Sequence, residues 1–104
     1  MEISTTKVAQ VIVLARELDR AKGEFIAFVD RLSEDEQAEL VALMWVGRGS
    51  YEIEDLGEAI KMAFAEASTP TASYLLGTPH LSDHLETALE ALNVSAMELE
   101  NELM

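Results

Sequence analysis

The sequence predicts an all-α fold, a compact orthogonal bundle of about five to six short helices in a single domain, and three observations predict it. Apolar residues recur at spacings of three and four along nearly the whole chain, strict alternation over a strand's length is absent, and residues that start or stop helices interrupt the pattern at short intervals.

The elements follow in order. Ser4 can cap a first helix from Thr5 to Ala21, with Val8, Val11, Ile12, Ala15 and Leu18 on one face and Lys7, Arg16, Glu17 and Arg20 turned away from it. Gly23 is expected to interrupt it, and a short second helix, Glu24 to Arg31, then presents Phe25, Phe28 and Val29 ahead of Leu32. Ser33 with Glu36 three residues later is a capping box, so a third helix runs from Glu34 to about Val46. Its run Leu40, Val41, Leu43, Met44, Trp45 and Val46 covers more than one face, which makes it the expected central helix. Gly47-Arg48-Gly49 stops it, with Gly47 or Gly49 as the left-handed residue of the cap.

A fourth helix is predicted from about Ile53 to Ala67, with Leu56, Ile60, Ala63 and Phe64 inward and Glu52, Glu54 and Asp55 suiting the positive end of its dipole. Thr69-Pro70 reads as N-cap plus first helical residue of a short fifth helix through Leu76, closed by Gly77. Thr78-Pro79 repeats the device for a sixth through Leu92. Asn93 then ends that helix, and Ser95 with Glu98 offers a capping box for one or two last turns. Residues 1–32 are thus a neutral N-terminal helical hairpin, 33–92 the central helices and 93–104 acidic C-terminal turns of one domain.

Composition narrows the function. With no cysteine there is no disulfide scaffold, thiolate metal site, iron–sulfur cluster or cysteine nucleophile. Seven Lys plus Arg against twenty Asp plus Glu give a formal charge of −13, which disfavours direct binding to nucleic acid. The charge is unevenly placed. Residues 1–31 carry five bases and five acids, while 32–104 carry fifteen acids against Arg48 and Lys61 alone, the whole of the −13. The apolar stretch from Val8 to Ala15 is broken by Gln10 and follows Glu2 rather than a basic region, so neither a signal peptide nor a membrane span is expected, and the cytoplasm is the expected location.

Two runs carry a resemblance. Leu40 to Gly49 (LVALMWVGRG) and Tyr74 to Pro79 (YLLGTP), followed by Leu81, Asp83, Leu85, Glu86, Leu89 and Leu92, are similar to a small bacterial family, domain of unknown function 3775, over roughly residues 33–92. The resemblance implies a compact helical bacterial protein and brings no activity and no catalytic residue with it.

The remaining constellations are few. Residues 33–67 have the outline of an EF-hand, but its ligand positions would fall on Val46, Arg48, Ser50 and Gly57, so calcium is not expected. His80 and His84, four apart with Asp83 between them, have the spacing of two metal ligands on one helix face, and these three are the candidate metal residues. The plainer reading makes His80 a neutral first-turn residue, Asp83 a partner of the helix dipole and His84 a surface residue. Arg48, alone between glycines, is either tied to a helix end or an anchor for an anion. Trp45, Tyr51 and Tyr74 either close the core or, with Arg48, form a ligand or partner surface. The C-terminal Met97, Leu99, Leu103 and Met104, with Met44 and Met62, either offer an adaptable apolar surface or, as methionine more commonly does, fill gaps in the core. No serine or threonine has an acid–base partner at triad spacing, so no catalytic residue and no cofactor is assigned.

Three functions compete. A non-enzymatic helical interaction module, homo-oligomeric (a dimer) or bound to a protein partner, fits a chain rich in apolar helix faces and poor in catalytic groups. A metal- or ligand-dependent enzyme or sensor would use His80, Asp83, His84 and Arg48. An acidic regulator would cover a basic protein surface.

Overall fold

The computed structural model describes the backbone of residues 1–103 and the side chains of residues 1–93. Six α-helices and no strand occur among the described residues: α1 Thr5–Arg16, α2 Leu18–Arg31, α3 Glu34–Arg48, α4 Leu56–Ala65, α5 Thr71–Leu76 and α6 Leu81–Leu103. None of them is long and apolar enough to cross a membrane.

The first two helices form as the caps and stripes dictate, with the break in a different place. Ser4 caps α1 by accepting the Lys7 N–H at 3.1 Å, and Ile3 and Val8 flank that cap, both buried, as a hydrophobic staple. The expected helix to Ala21 ends instead at Arg16: Glu17 leaves helical geometry (φ −117°, ψ 29°), and Ala21 does so again (φ −117°, ψ 20°). Gly23 interrupts nothing and lies inside α2. The physical reason is phase. At about 100° per residue, a straight helix would leave the stripe Ala21, Phe25 and Val29 roughly a quarter turn away from the stripe Val8, Val11 and Ile12. The two bends turn both stripes onto one core.

Helix α3 is the central element. Residues 38 to 46 are all buried, because α4, α5 and α6 pack around it. Its start is the expected capping box: the Glu36 N–H donates to Ser33 Oγ at 3.1 Å and the Ser33 N–H to Glu36 Oε1 at 3.0 Å. Its end is Gly49, which takes the left-handed conformation (φ 93°). Gly47 does not stop the helix but lies in it, for a different reason. A Cβ on Gly47 would sit 1.7 Å from the backbone oxygen of His84, so the missing side chain lets α6 cross α3 in backbone contact.

The later helices begin one to three residues after their expected starts. Ile53–Asp55 is a 3₁₀ turn rather than the first turn of the fourth helix, and α4 is the shorter Leu56–Ala65. Pro70 is the N-cap of α5, not its first helical residue: its extended backbone (ψ 134°) lies outside the helix, and the Tyr74 N–H makes the first bond to its carbonyl at 3.0 Å. Helix α6 opens in the same way at His80, whose carbonyl accepts the His84 N–H at 3.0 Å while its own backbone is left-handed (φ 58°). The expected stop at Asn93 is absent and α6 continues to Leu103, consistent with a segment holding no glycine or proline after Pro79. The side chains of the Ser95–Glu98 box and of Met97, Leu99, Leu103 and Met104 lie outside the described residues.

The core joins Val8, Val11, Phe25, Val29, Leu40, Leu43, Met44, Leu75 and Leu85, each fully buried. Burial of one such side chain stabilises the fold by about 1.5–3 kcal/mol.

Candidate functional site

Three of the predicted partner residues come together. Trp45, on the last turns of α3, stacks on Tyr51 with ring centroids 5.9 Å apart, and its indole Nε1–H donates to the Tyr74 hydroxyl of α5 at 3.0 Å. Trp45 is buried, Tyr51 half-buried and Tyr74 37% exposed, so the trio runs from core to surface. The fourth candidate, Arg48, stands apart: it is exposed and its Nε–H donates to Ser50 Oγ at 3.1 Å across the turn after α3.

Beside the Trp45–Tyr74 pair a cleft of about 510 Å³ opens between α3 and the α4–α5 connection. One wall is a single stripe of α3, Glu34, Gln37, Ala38, Val41 and Trp45. The other is Ala63 and Phe64 at the end of α4, residues 66–70 of the connection, and Thr71 and Tyr74 of α5. Small side chains create the space, since Ala38 and Ala63 sit where larger residues would close the helices together. Phe64, expected to face inward, is instead 45% exposed at the cleft's edge, its neighbour Ala63 taking the buried position. Among the described residues, Glu34 and Glu66 are the charged groups lining the cleft, and no base does.

A second, shallower depression of about 350 Å³ lies on the outer face of the hairpin, lined by Thr6, Ala9, Gln10, Val13, Leu14 and Phe28. Thr6, Ala9, Gln10 and Val13 fall on the side of α1 opposite its core stripe, and Val13 is 59% exposed. Sequence reasoning missed this face, although Val13 and Leu14 stand out as apolar residues of α1 off its inward stripe.

The histidine candidates are close in sequence but not converged. His80 Nδ1 lies 4.0 Å from Asp83 Oδ2 with both side chains exposed, and the His80 and His84 rings meet edge-on with centroids 6.4 Å apart. The left-handed turn at His80 takes that residue off the helical path on which an i, i+4 pair would share a face. Among the described residues no group of three or more His, Asp or Glu side chains is gathered as a metal site.

Two carboxylates that sequence reasoning did not single out fix the chain's beginning. Glu39, 5% exposed, accepts the backbone N–H groups of Glu2 (2.8 Å) and Ile3 (2.7 Å), which satisfies a buried charge. The signal was present: a glutamate beside a helical run apolar on more than one face needs a partner once that run is buried. Glu36 serves α1 as well as its own cap, since Lys7 Nζ donates to Glu36 Oε2 at 2.6 Å. That lysine and the Ser33 N–H hold the Glu36 carboxyl below its ordinary range. A second ion pair, Arg16 with Glu86, ties α1 to α6.

A family model described as a protein of unknown function, DUF3775, matches residues 22–94. The match takes in most of α2, and so begins earlier than the resemblance over 33–92. No curated protein and no solved structure matches the chain.

Proposed function

The chain belongs to the DUF3775 family of proteins of unknown function, and from that premise we propose that it is a non-enzymatic helical interaction module that self-associates as a homodimer through the outer face of α1 and α2. The observation that carries this reading is the coincidence of an apolar depression, exposed Val13 beside half-buried Leu14 and Phe28, with the electrically neutral part of the chain. Two copies of a molecule charged −13 repel each other. Repulsion is weakest where bases and acids balance, and residues 1–31 are that region. An isologous contact between two such patches removes Val13 from water in both copies and keeps the acidic surfaces apart.

Sedimentation velocity over a concentration series tests the reading. A dimer is expected, tightening as salt is raised because the repulsion between like charges is screened while the apolar contact is not. Val13→Asp, at an exposed position, is expected to give a folded monomer. A wild-type chain that stays monomeric at high salt and high concentration overturns the proposal. Native mass spectrometry with added zinc or nickel reads the competing function in the same samples: a bound ion lost in His80→Ala, His84→Ala would favour a metal-dependent protein instead.

A further inference from the structure

We infer that the cleft between α3 and the α4–α5 connection is a docking groove for a basic amphipathic helix of a partner protein, separate from the face assigned to self-association.

Shape argues for a helix. The lining residues of α3, at positions 34, 37, 38, 41 and 45, make one stripe about three turns, or roughly 16 Å, long. A trough of that length, with small residues at its base and aromatic side chains along one side, accepts the apolar face of a second helix, whose anchors recur at the same spacing. Ala38, Val41 and Ala63 form the apolar floor, and the exposed rings of Phe64 and Tyr74 border it.

Charge argues for a basic partner. Glu34 stands at one end of the α3 stripe and Glu66 at the C-cap of α4, where the helix carbonyls add partial negative charge. The two bases of residues 32–104 are engaged elsewhere: Arg48 bonds Ser50 and Lys61 lies 3.7 Å from Glu58. Lysine or arginine side chains flanking the partner's apolar anchors would pair with Glu34 and Glu66, and the faces of Phe64 and Tyr74 attract the same cations. Tyr74 accepts the Trp45 N–H and so retains its own hydroxyl proton to donate to the incoming chain.

Trp45 is the protein's one tryptophan and lies in the groove wall, so its fluorescence reports occupancy directly. The probes are a 14-residue amphipathic Leu/Lys helical peptide, a scrambled peptide of the same composition and a Leu/Glu peptide of the same pattern. Saturable change of Trp45 emission is expected with the first alone. Glu34→Gln with Glu66→Gln is expected to weaken binding about fivefold, and Phe64→Ala is expected to weaken it too. Glu54→Gln with Glu90→Gln, removing the same charge outside the groove, is expected to change little, and Val13→Asp to leave binding intact. All these positions are exposed, so circular dichroism should show each variant folded. Equal binding of the scrambled peptide, equal weakening by the Glu54 and Glu90 pair, or no effect of Glu34, Glu66 and Phe64 would overturn the groove. Failure here together with a dimer abolished by Val13→Asp leaves the self-association reading standing, and the reverse pattern leaves this one.

Discussion

At the scale of single residues, the same residue type serves opposite ends in this chain. Gly47 is where α6 touches α3, and a methyl group there would lie 1.7 Å from the His84 oxygen and 2.5 Å from its carbonyl carbon. Gly47→Ala is therefore expected to cost about 3 kcal/mol in urea unfolding, because two backbones must separate. Gly23 lies in α2 with open space around its Cα, so Gly23→Ala is expected to stabilise the fold by roughly 0.5–1 kcal/mol. Opposite signs for two Gly→Ala changes in helices separate close packing from propensity. The aromatic trio makes a related point. Trp45, Tyr51 and Tyr74 are each legible as aromatic residues near helix ends, yet the Trp45–Tyr74 hydrogen bond joins residues 29 apart in sequence, and no local pattern encodes it.

At the scale of elements, caps were the most legible features and crossings the least. The Ser33–Glu36 box and the Ser4 cap form as their spacing requires, since both are satisfied within three residues. Glu36 then joins two elements by accepting from Lys7, with a consequence for pH. Its folded carboxyl is held below the range it has when unfolded, so the unfolded chain binds the proton first as pH falls. The contribution of Glu36 is therefore complete above the unfolded value, near pH 4.3, and lost as pH drops through the lower folded value. Chemical denaturation of wild type and Glu36→Gln is expected to give a gap at pH 7 that closes below about pH 4. A gap independent of pH would mean that the carboxylate charge adds nothing to the cap. The bends at Glu17 and Ala21 were not legible, because each residue there has an ordinary helix former's sequence context. Only the need to aim two stripes at one core selects them.

At the scale of the whole molecule, charge governs behaviour. Twenty acids against seven bases are expected to make like-charge repulsion outweigh surface pairs such as Lys7–Glu36 and Arg16–Glu86. Screening should therefore stabilise the fold: raising NaCl from about 0.01 M to about 0.15 M shortens the Debye length from ~30 to ~8 Å, and Tm is expected to rise. A falling Tm would mean that the ion pairs outweigh the net repulsion. The two binding readings respond to salt with opposite sign, since self-association through a neutral face tightens and docking of a basic helix weakens.

The all-helical class, the central position of α3, the capping box, the glycine turn after α3 and the division into a neutral N-terminal segment and an acidic remainder can all be read from the chain alone. Each depends on periodicity, on residues a turn apart or on a count, and such interactions are written locally in the chain. Tertiary structure alone decided that Gly47 is a crossing point, that Glu39 holds the backbone of residues 2 and 3, that His80 leaves the helix its spacing suggested, and that Trp45 and Tyr74 border a groove. These depend on which faces meet in space. Ala38 and Ala63 show why the groove was hidden: an alanine in a helix reads only as a good helix former until the opposite wall is in place and the volume it leaves empty can be seen.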